Sequence, residues 1–146
     1  FMEEIEIGKE IIDFAKALRK AAAEYYLARH GDAVSPTQGK LLGYLMMHPG
    51  ATSAEIQSHF HLVKSTASDL INGLVETGYL EYRTVENDKR KKIIVMTEKG
   101  EAHQASALAT FKEFDDKATK GVTTQEVVEI QRVFDKIRAN IGGLKA

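Results

Sequence analysis

The chain has 146 residues, a formal net charge of −1 at pH 7 and no cysteine. Its length predicts one domain, and a composition of 43% hydrophobic and 28% charged residues excludes a disordered chain. The lack of cysteine excludes disulfides, cysteine-ligated zinc and thiol redox sensing. No apolar run approaches the roughly 20 residues that a membrane span needs, and no secretory signal is visible. A cytoplasmic protein without a membrane partner is therefore expected.

The near-zero net charge conceals a local basic cluster. Residues 83–92 contain five Lys or Arg against two acidic residues. DNA binding depends on where positive charge lies rather than on its total. The net charge therefore does not exclude a nucleic-acid partner.

The first segment predicts one long helix, from Glu3 to about Arg29. Its apolar residues form two stripes at helical spacing. The stripes are Ile11, Ala15, Leu18, Ala22 and Tyr25, and Ile7, Phe14, Ala21 and Ala28. Such a wide apolar face predicts burial from two sides.

Three further helices begin with a capping box, in which Ser or Thr and a Glu or Gln three residues later satisfy amides of the first turn. The boxes start at Ser35, Thr52 and Thr123. They predict helices over Pro36–Met47, Ser53–Phe60 and Thr124–Ile141.

Residues 64–77 predict another helix, which ends at Gly78. Its buried face comprises Ala67, Leu70, Ile71 and Leu74, and its polar face comprises Ser65, Thr66, Ser68, Asp69 and Asn72. A β-hairpin follows, with strands in residues 79–84 and 93–97 around a polar turn at 85–91. A helix to about Ala118 comes next. This order predicts a mainly α fold with a small β-hairpin wing, a winged helix-turn-helix.

Several of these segments resemble the MarR family of bacterial transcriptional regulators. The family pattern has an acidic-aliphatic pair, then K-S-T-V-S in the recognition helix, then D-x-R and L-T-x-K-G around the last wing strand. The matching segments here are Glu55–Ile56, Lys64–Ser68, Asp88–Arg90 and Met96–Gly100. These specific motifs are confined to residues 35–100, whereas the order of elements matches along essentially the whole chain.

The resemblance implies a dimeric repressor that binds a palindromic operator in double-stranded DNA. It divides the chain into an N-terminal dimerisation helix (1–34), a DNA-binding domain (35–100) and C-terminal dimerisation helices (101–146). The last helix carries a coiled-coil-like seam, made of Val127, Ile130, Phe134, Ile137, Ile141 and Leu144. Packing of the terminal helices within one chain is the alternative.

The resemblance also implies the DNA-contacting residues. In the recognition helix, Lys64, Ser65 and Thr66 would bind phosphate at the helix N-terminus. One turn on, Ser68, Asp69 and Asn72 would meet base edges, and an Asn suits the N6 and N7 atoms of adenine.

The wing is the second expected contact. Its basic residues are Arg83, Lys89, Arg90, Lys91 and Lys92, with Asp88 as a local partner for Arg90. In the family, the wing Arg enters the minor groove.

Three residues depart from the family pattern. His61 replaces a Gly in the turn and must accept a positive φ, which His tolerates better than most residues. Val63 replaces a Ser cap, at a cost of roughly 1 kcal/mol. Asp69 stands where a basic residue is common. It could read the exocyclic amine of cytosine, orient a neighbouring Arg, or be a solvated acid that weakens non-specific binding.

Other functions have less support in the sequence. No catalytic residues or cofactors are predicted, because there is no Gly-rich phosphate loop, H-E-x-x-H or G-x-S-x-G. A zinc-responsive regulator would need His30 and His103 to meet with Glu24, and solvated or core-edge histidines are the simpler interpretation. A winged-helix module without DNA binding remains a further alternative.

An organic effector is expected by family analogy, in a crevice between the dimer helices and the DNA-binding domain. The nearby residues are Tyr25, Tyr26, Met46, Met47 and His48. Core packing explains the Tyr and Met residues equally well, so no effector site is assigned.

Overall fold

The structure, a computed structural model, describes residues 6–85 and 87–144, and for Lys89 it describes the backbone alone. The predicted helix start at Glu3 and the side-chain role of Lys89 lie outside the described residues. The elements in chain order are α1 (Ile7–His30), α2 (Pro36–Met47), α3 (Ser53–Phe60), α4 (Lys64–Glu76), β1 (Leu80–Val85), β2 (Asp88–Met96), α5 (Glu98–Ala118) and α6 (Thr124–Gly143). None of the helices in this described part is long and apolar enough to cross a membrane.

The three predicted capping boxes are confirmed. The hydroxyls of Ser35, Thr52 and Thr123 accept hydrogen bonds from backbone amides three residues later, at 3.1–3.2 Å. Helices α2 and α3 have the predicted bounds, and α6 continues two residues past the predicted end at Ile141. Local capping chemistry therefore sets these boundaries.

The turn of the hairpin is shorter than the sequence predicts. The sequence placed residues 85–91 in a polar turn, but β2 begins at Asp88, so the basic residues lie on a strand. Thr84 pairs with Lys92 and Val85 with Asp88, which leaves three residues of β2 bulged between these pairs. Backbone pairing extends the strand into a segment whose exposed, charged side chains resemble a loop in sequence.

The core lies within α2, α3, α4 and the hairpin. Its largest fully buried side chains are Leu41, Leu42, Ile56, Ile71, Leu74, Leu80 and Ile94. The predicted inner face of α4 is confirmed at Ala67, Ile71 and Leu74, whereas Leu70 is partly buried at the edge of the core. The hairpin is fixed to the loop before α3 by a bond of 3.1 Å from the amide of Ile94 to the carbonyl of Ala51.

The chain divides into two compact units, residues 1–112 and 113–146. In the first, α1 has no fully buried residue, and its first predicted stripe is half-buried except at Leu18. The second stripe is exposed, with Phe14 at 62%. In the second unit, α6 also has no fully buried residue. Within the described residues, both helices therefore have exposed apolar side chains.

Candidate nucleic-acid interface

The turn between α3 and α4 forms as the sequence predicts. His61 adopts the left-handed conformation with φ 53° and ψ 44°, and the amide of Leu62 donates to the carbonyl of Gln57 at 2.9 Å. Val63 precedes α4 in extended conformation and provides no side-chain cap. The first turn of α4 therefore keeps amides and a positive dipole end that favour an anion.

The outer face of α4 carries the six predicted recognition residues. Lys64, Ser65, Thr66, Asp69 and Asn72 are exposed, and Ser68 is half-buried. They lie away from Ala67, Ile71 and Leu74, which pack into the core. No ion pair or hydrogen bond of the Asp69 carboxylate occurs within residues 6–85 and 87–144. The predicted role of Asp69 as a clamp for a neighbouring Arg therefore gains no support.

The wing presents its basic residues on β2. Arg90, Lys91 and Lys92 are exposed. The carboxylate of Asp88 accepts a hydrogen bond from the backbone amide of Arg90 at 2.9 Å. This hydrogen bond holds the bulged backbone at Arg90, and the predicted role of Asp88 in supporting the wing remains a prediction.

Arg83 differs from the other wing residues in position. Paired strand residues share a face and neighbours alternate, so Arg83 lies on the face opposite Tyr82 and Lys92. Its guanidinium donates to Glu81 at 2.8 and 3.1 Å. Its predicted DNA contact remains a prediction, and the salt bridge competes with it.

Sequence reasoning missed one residue that joins the two predicted contacts. The hydroxyl of Tyr82 on β1 donates a hydrogen bond to Oδ1 of Asn72 on α4 at 2.7 Å. The ammonium of Lys92 lies 5.7 Å from the Tyr82 ring centroid. Strand alternation from buried Leu80 could have placed Tyr82 on the helix-facing side, but it could not give its partner.

Two of the histidines meet where α1 faces α5. Nε2 of His103 is 2.9 Å from the hydroxyl of Tyr26, and Nε2 of His30 is 2.7 Å from that of Thr110. The two imidazole centroids are 6.0 Å apart. Burial, and secondarily the neighbouring His30, lower the pKa of His103.

These histidines do not form a metal site with an acid. Within the described ranges, no group of three or more His, Asp or Glu side chains could hold a metal ion. A second pair, His48 and His59, stacks on the ring of Tyr44 at 4.2 and 4.3 Å between centroids. His30 and His103 are half-buried, whereas His48 and His59 are exposed and stack on Tyr44.

A cleft of about 510 Å³ opens beside the outer face of the hairpin. It is lined by Leu45, Met46, Pro49, Gly50, Arg83, Ile94, Val95, Met96 and Glu101. Of the residues expected near an effector crevice, only Met46 lines it. The expected effector crevice remains a prediction.

A short helix, a tight turn, an exposed polar helix and a two-stranded wing define a winged helix-turn-helix protein. The sequence model described as the MarR family matches residues 25–91. The chain is also 28% identical, over 94 residues, to the HTH-type transcriptional regulator BilQ of Clostridium symbiosum. That alignment spans 64% of this chain and 65% of the relative, slightly under two thirds of its length.

Solved structures agree in fold. A MarR family protein from Bacillus stearothermophilus superposes with a TM-score of 0.78 at 20% identity, covering 94% of each chain. A mutant of MepR from S. aureus, bound to an oligodeoxyribonucleotide, gives 0.71 at 19% identity, covering 94% of this chain and 99% of its own. Residues 25–91 of the chain thus match the MarR family in sequence, and the fold is that of solved winged helix-turn-helix structures of MarR family proteins.

Proposed function

We propose that this protein is a homodimeric transcriptional repressor that binds a palindromic operator in double-stranded DNA. The observation that carries the proposal is the exposed polar face of α4 beside the basic strand β2. Both belong to the same compact unit of the chain, so a single docking event would bring them to DNA together. The oligodeoxyribonucleotide complex of the structurally similar MepR mutant supports the same mode of binding.

In this proposal, α4 enters the major groove. Lys64, Ser65 and Thr66 bind phosphate, because the uncapped first turn adds free amides and the helix dipole. Ser68 and Asn72 meet base edges. Asp69 is an exposed acid that repels phosphate and so lowers binding to non-specific DNA.

The wing supplies the second contact. Arg90, Lys91 and Lys92 would bind backbone phosphates or the adjacent minor groove, and Lys89 belongs to the same run in sequence. The hydrogen bond from the Arg90 amide to the Asp88 carboxylate fixes the bulge that carries Arg90. Arg83 contributes less in this account, because Glu81 holds its guanidinium on the opposite face.

The dimer places two recognition helices on one operator. Neither α1 nor α6 has a fully buried residue. This supports assembly through the terminal helices, because a second chain would cover their apolar faces. Recognition helices in such dimers bind half-sites about one helical turn, roughly 10 bp, apart. An organic effector that binds better to another spacing of these helices would release the DNA.

The test is selection from a random duplex library. The purified full chain is incubated with the library at near-physiological salt, and bound duplexes are amplified and sequenced over several rounds. The proposal predicts enrichment of a palindrome with half-sites about one helical turn, roughly 10 bp, apart. Recovery of unenriched sequences after all rounds would refute a sequence-specific regulator.

A further inference from the structure

The hydrogen bond between Tyr82 and Asn72 joins the wing to the recognition helix, and it fixes the oxygen end of the Asn72 side-chain amide. Tyr82 is 38% exposed, its hydroxyl reaches Asn72 on α4, and the ammonium of Lys92 lies 5.7 Å from its ring centroid. Burial raises the pKa of the Tyr82 hydroxyl, so it remains a protonated donor at neutral pH. The Asn72 atom that faces this hydroxyl in the structure is the carbonyl oxygen Oδ1, which accepts the hydrogen bond.

The orientation of this amide determines which hydrogen-bonding groups of Asn72 are available to DNA. An Asn side chain has one acceptor end and one donor end. Because Oδ1 accepts from Tyr82, the Nδ2 amine occupies the other branch of the planar amide. Reading adenine would need both ends, Oδ1 for the N6 amine and Nδ2 for N7. The bond to Tyr82 takes one of the two lone pairs of Oδ1 and fixes the amide plane, so an adenine contact would have to share Oδ1 in this fixed orientation.

Guanine suits the remaining donor better. Its major-groove edge has two acceptors, N7 and O6, and no donor. The two N–H groups of Nδ2 can serve these acceptors, whereas the N6 amine of adenine would face them as another donor. An amide whose Oδ1 is already bound and whose Nδ2 is free thus favours guanine over adenine.

We propose that Tyr82 is a positioning residue, which holds the Asn72 amide so that the recognition helix selects guanine over adenine at one position in each half-site. This inference rests on the proposed function and replaces the adenine contact expected from sequence. Tyr82 acts through Asn72 and does not itself read a base. Base choice at that position therefore depends on a residue of the wing.

The test compares four proteins in the same duplex selection: wild type, Tyr82→Phe, Asn72→Ala and the double variant. Tyr82→Phe removes the hydroxyl and keeps the ring beside Lys92. We expect wild type to enrich guanine at one position per half-site. In Tyr82→Phe the preference for guanine over adenine there should fall about tenfold, the scale of one good base contact. Other positions should keep their preferences.

The double variant separates positioning from general damage. In the Asn72→Ala background, adding Tyr82→Phe should change base preference no further, because the amide is already gone. Tyr44→Phe, which removes a hydroxyl from the histidine stack on α2, is the matched control and should select as wild type does.

Two results would overturn the inference while leaving the proposed function intact. One is an unchanged Tyr82→Phe preference at every position. The other is an equal loss of affinity for all sequences that persists in the Asn72→Ala background. If wild type itself enriches no sequence, the proposed function fails, and this inference fails with it.

Discussion

Thr97 donates a hydrogen bond from its hydroxyl to the carbonyl oxygen of Gly78 at 2.5 Å, and the same hydroxyl accepts from the amide of Gly100 at 3.1 Å. Gly78 follows the recognition helix, and Gly100 lies in the first turn of α5. Lys99 adds a bond from its ammonium to the carbonyl of Thr77 at 2.7 Å. The segment Met96–Gly100 thus fixes the end of α4 to the start of α5.

Gly100 is the residue least able to change in this junction. A Cβ at this position would overlap the carbonyl oxygen of Tyr79, a backbone atom that cannot rotate away. We expect Gly100→Ala to lower the free energy of unfolding by about 1–3 kcal/mol, as overpacking does. Denaturant unfolding of the variant and the wild type at matched protein concentration measures this change in the free energy of unfolding.

Gly39 in α2 is the matched control for that substitution. A Cβ there has open space, and α-helices favour Ala over Gly by about 0.5–1 kcal/mol. Gly39→Ala should therefore raise the free energy of unfolding. Equal stability of the two variants would contradict the close approach at Tyr79.

The pH dependence of stability should report His103. Its pKa is lowered in the folded chain from the usual 6.5, mainly by burial. The unfolded chain therefore binds more protons in the window from about 6.5 downward, and the free energy of unfolding should fall as pH drops through it. Thermal or denaturant unfolding from pH 7.5 to 5 in wild type measures this slope.

His103→Gln is the comparison, because Gln can form a hydrogen bond with the Tyr26 hydroxyl but does not titrate. Its stability should depend less on pH across the same window. A slope identical to that of wild type would show that other groups account for the acid sensitivity.

The apolar seam of α6 should hold the dimer. Ile130 lies on that seam and is 52% exposed in the single chain, whereas Val128 is 59% exposed and lies on the other side of the helix. We expect Ile130→Glu to weaken dimerisation at least tenfold, because a carboxylate would be buried unpaired in the interface. Val128→Glu should leave it nearly unchanged, and sedimentation equilibrium measures both. A monomeric wild type, or equal effects of the two substitutions, would remove α6 from the interface.

Asp69 should act against DNA in general rather than for one base. It is exposed at the face of α4, and its charge opposes phosphate. Asp69→Asn is expected to raise affinity for a shuffled duplex several-fold without changing the selected base sequence. A changed base preference in the selection would instead make Asp69 a reader of the operator.

The wing offers a comparison of two arginines. Each phosphate contact contributes about 0.9 to the slope of log K against log salt. Arg90→Gln should lower that slope by about this amount, while Arg83→Gln should lower it less, because Arg83 is bound to Glu81. Equal reductions of the salt slope in the two variants would show that Arg83 contacts DNA as Arg90 does.

Much of the fold follows from local sequence signals. The boxes at Ser35, Thr52 and Thr123 give helix starts directly, because each pairs amides within a single turn. The positive φ at His61 was also predictable, because the family pattern has a Gly at this turn and His61 replaces it in this chain. Such features depend on residues three or four apart.

The site was less predictable, because its details depend on contacts across elements. The strand start at Asp88 is set by pairing with β1, which the charged sequence does not reveal. The bond from Tyr82 to Asn72 joins residues ten apart on different elements. The meeting of His30 with His103 depends on how α1 packs on α5.

The most direct test of the central claim is a binding titration of the wild-type chain at several salt concentrations. It compares the duplex recovered by selection with a shuffled duplex of the same composition. We predict affinity for the selected duplex at least about 1,000-fold higher, and a steep fall of both affinities with salt. Equal affinity for the two duplexes, with a flat salt dependence, would contradict a DNA-reading function.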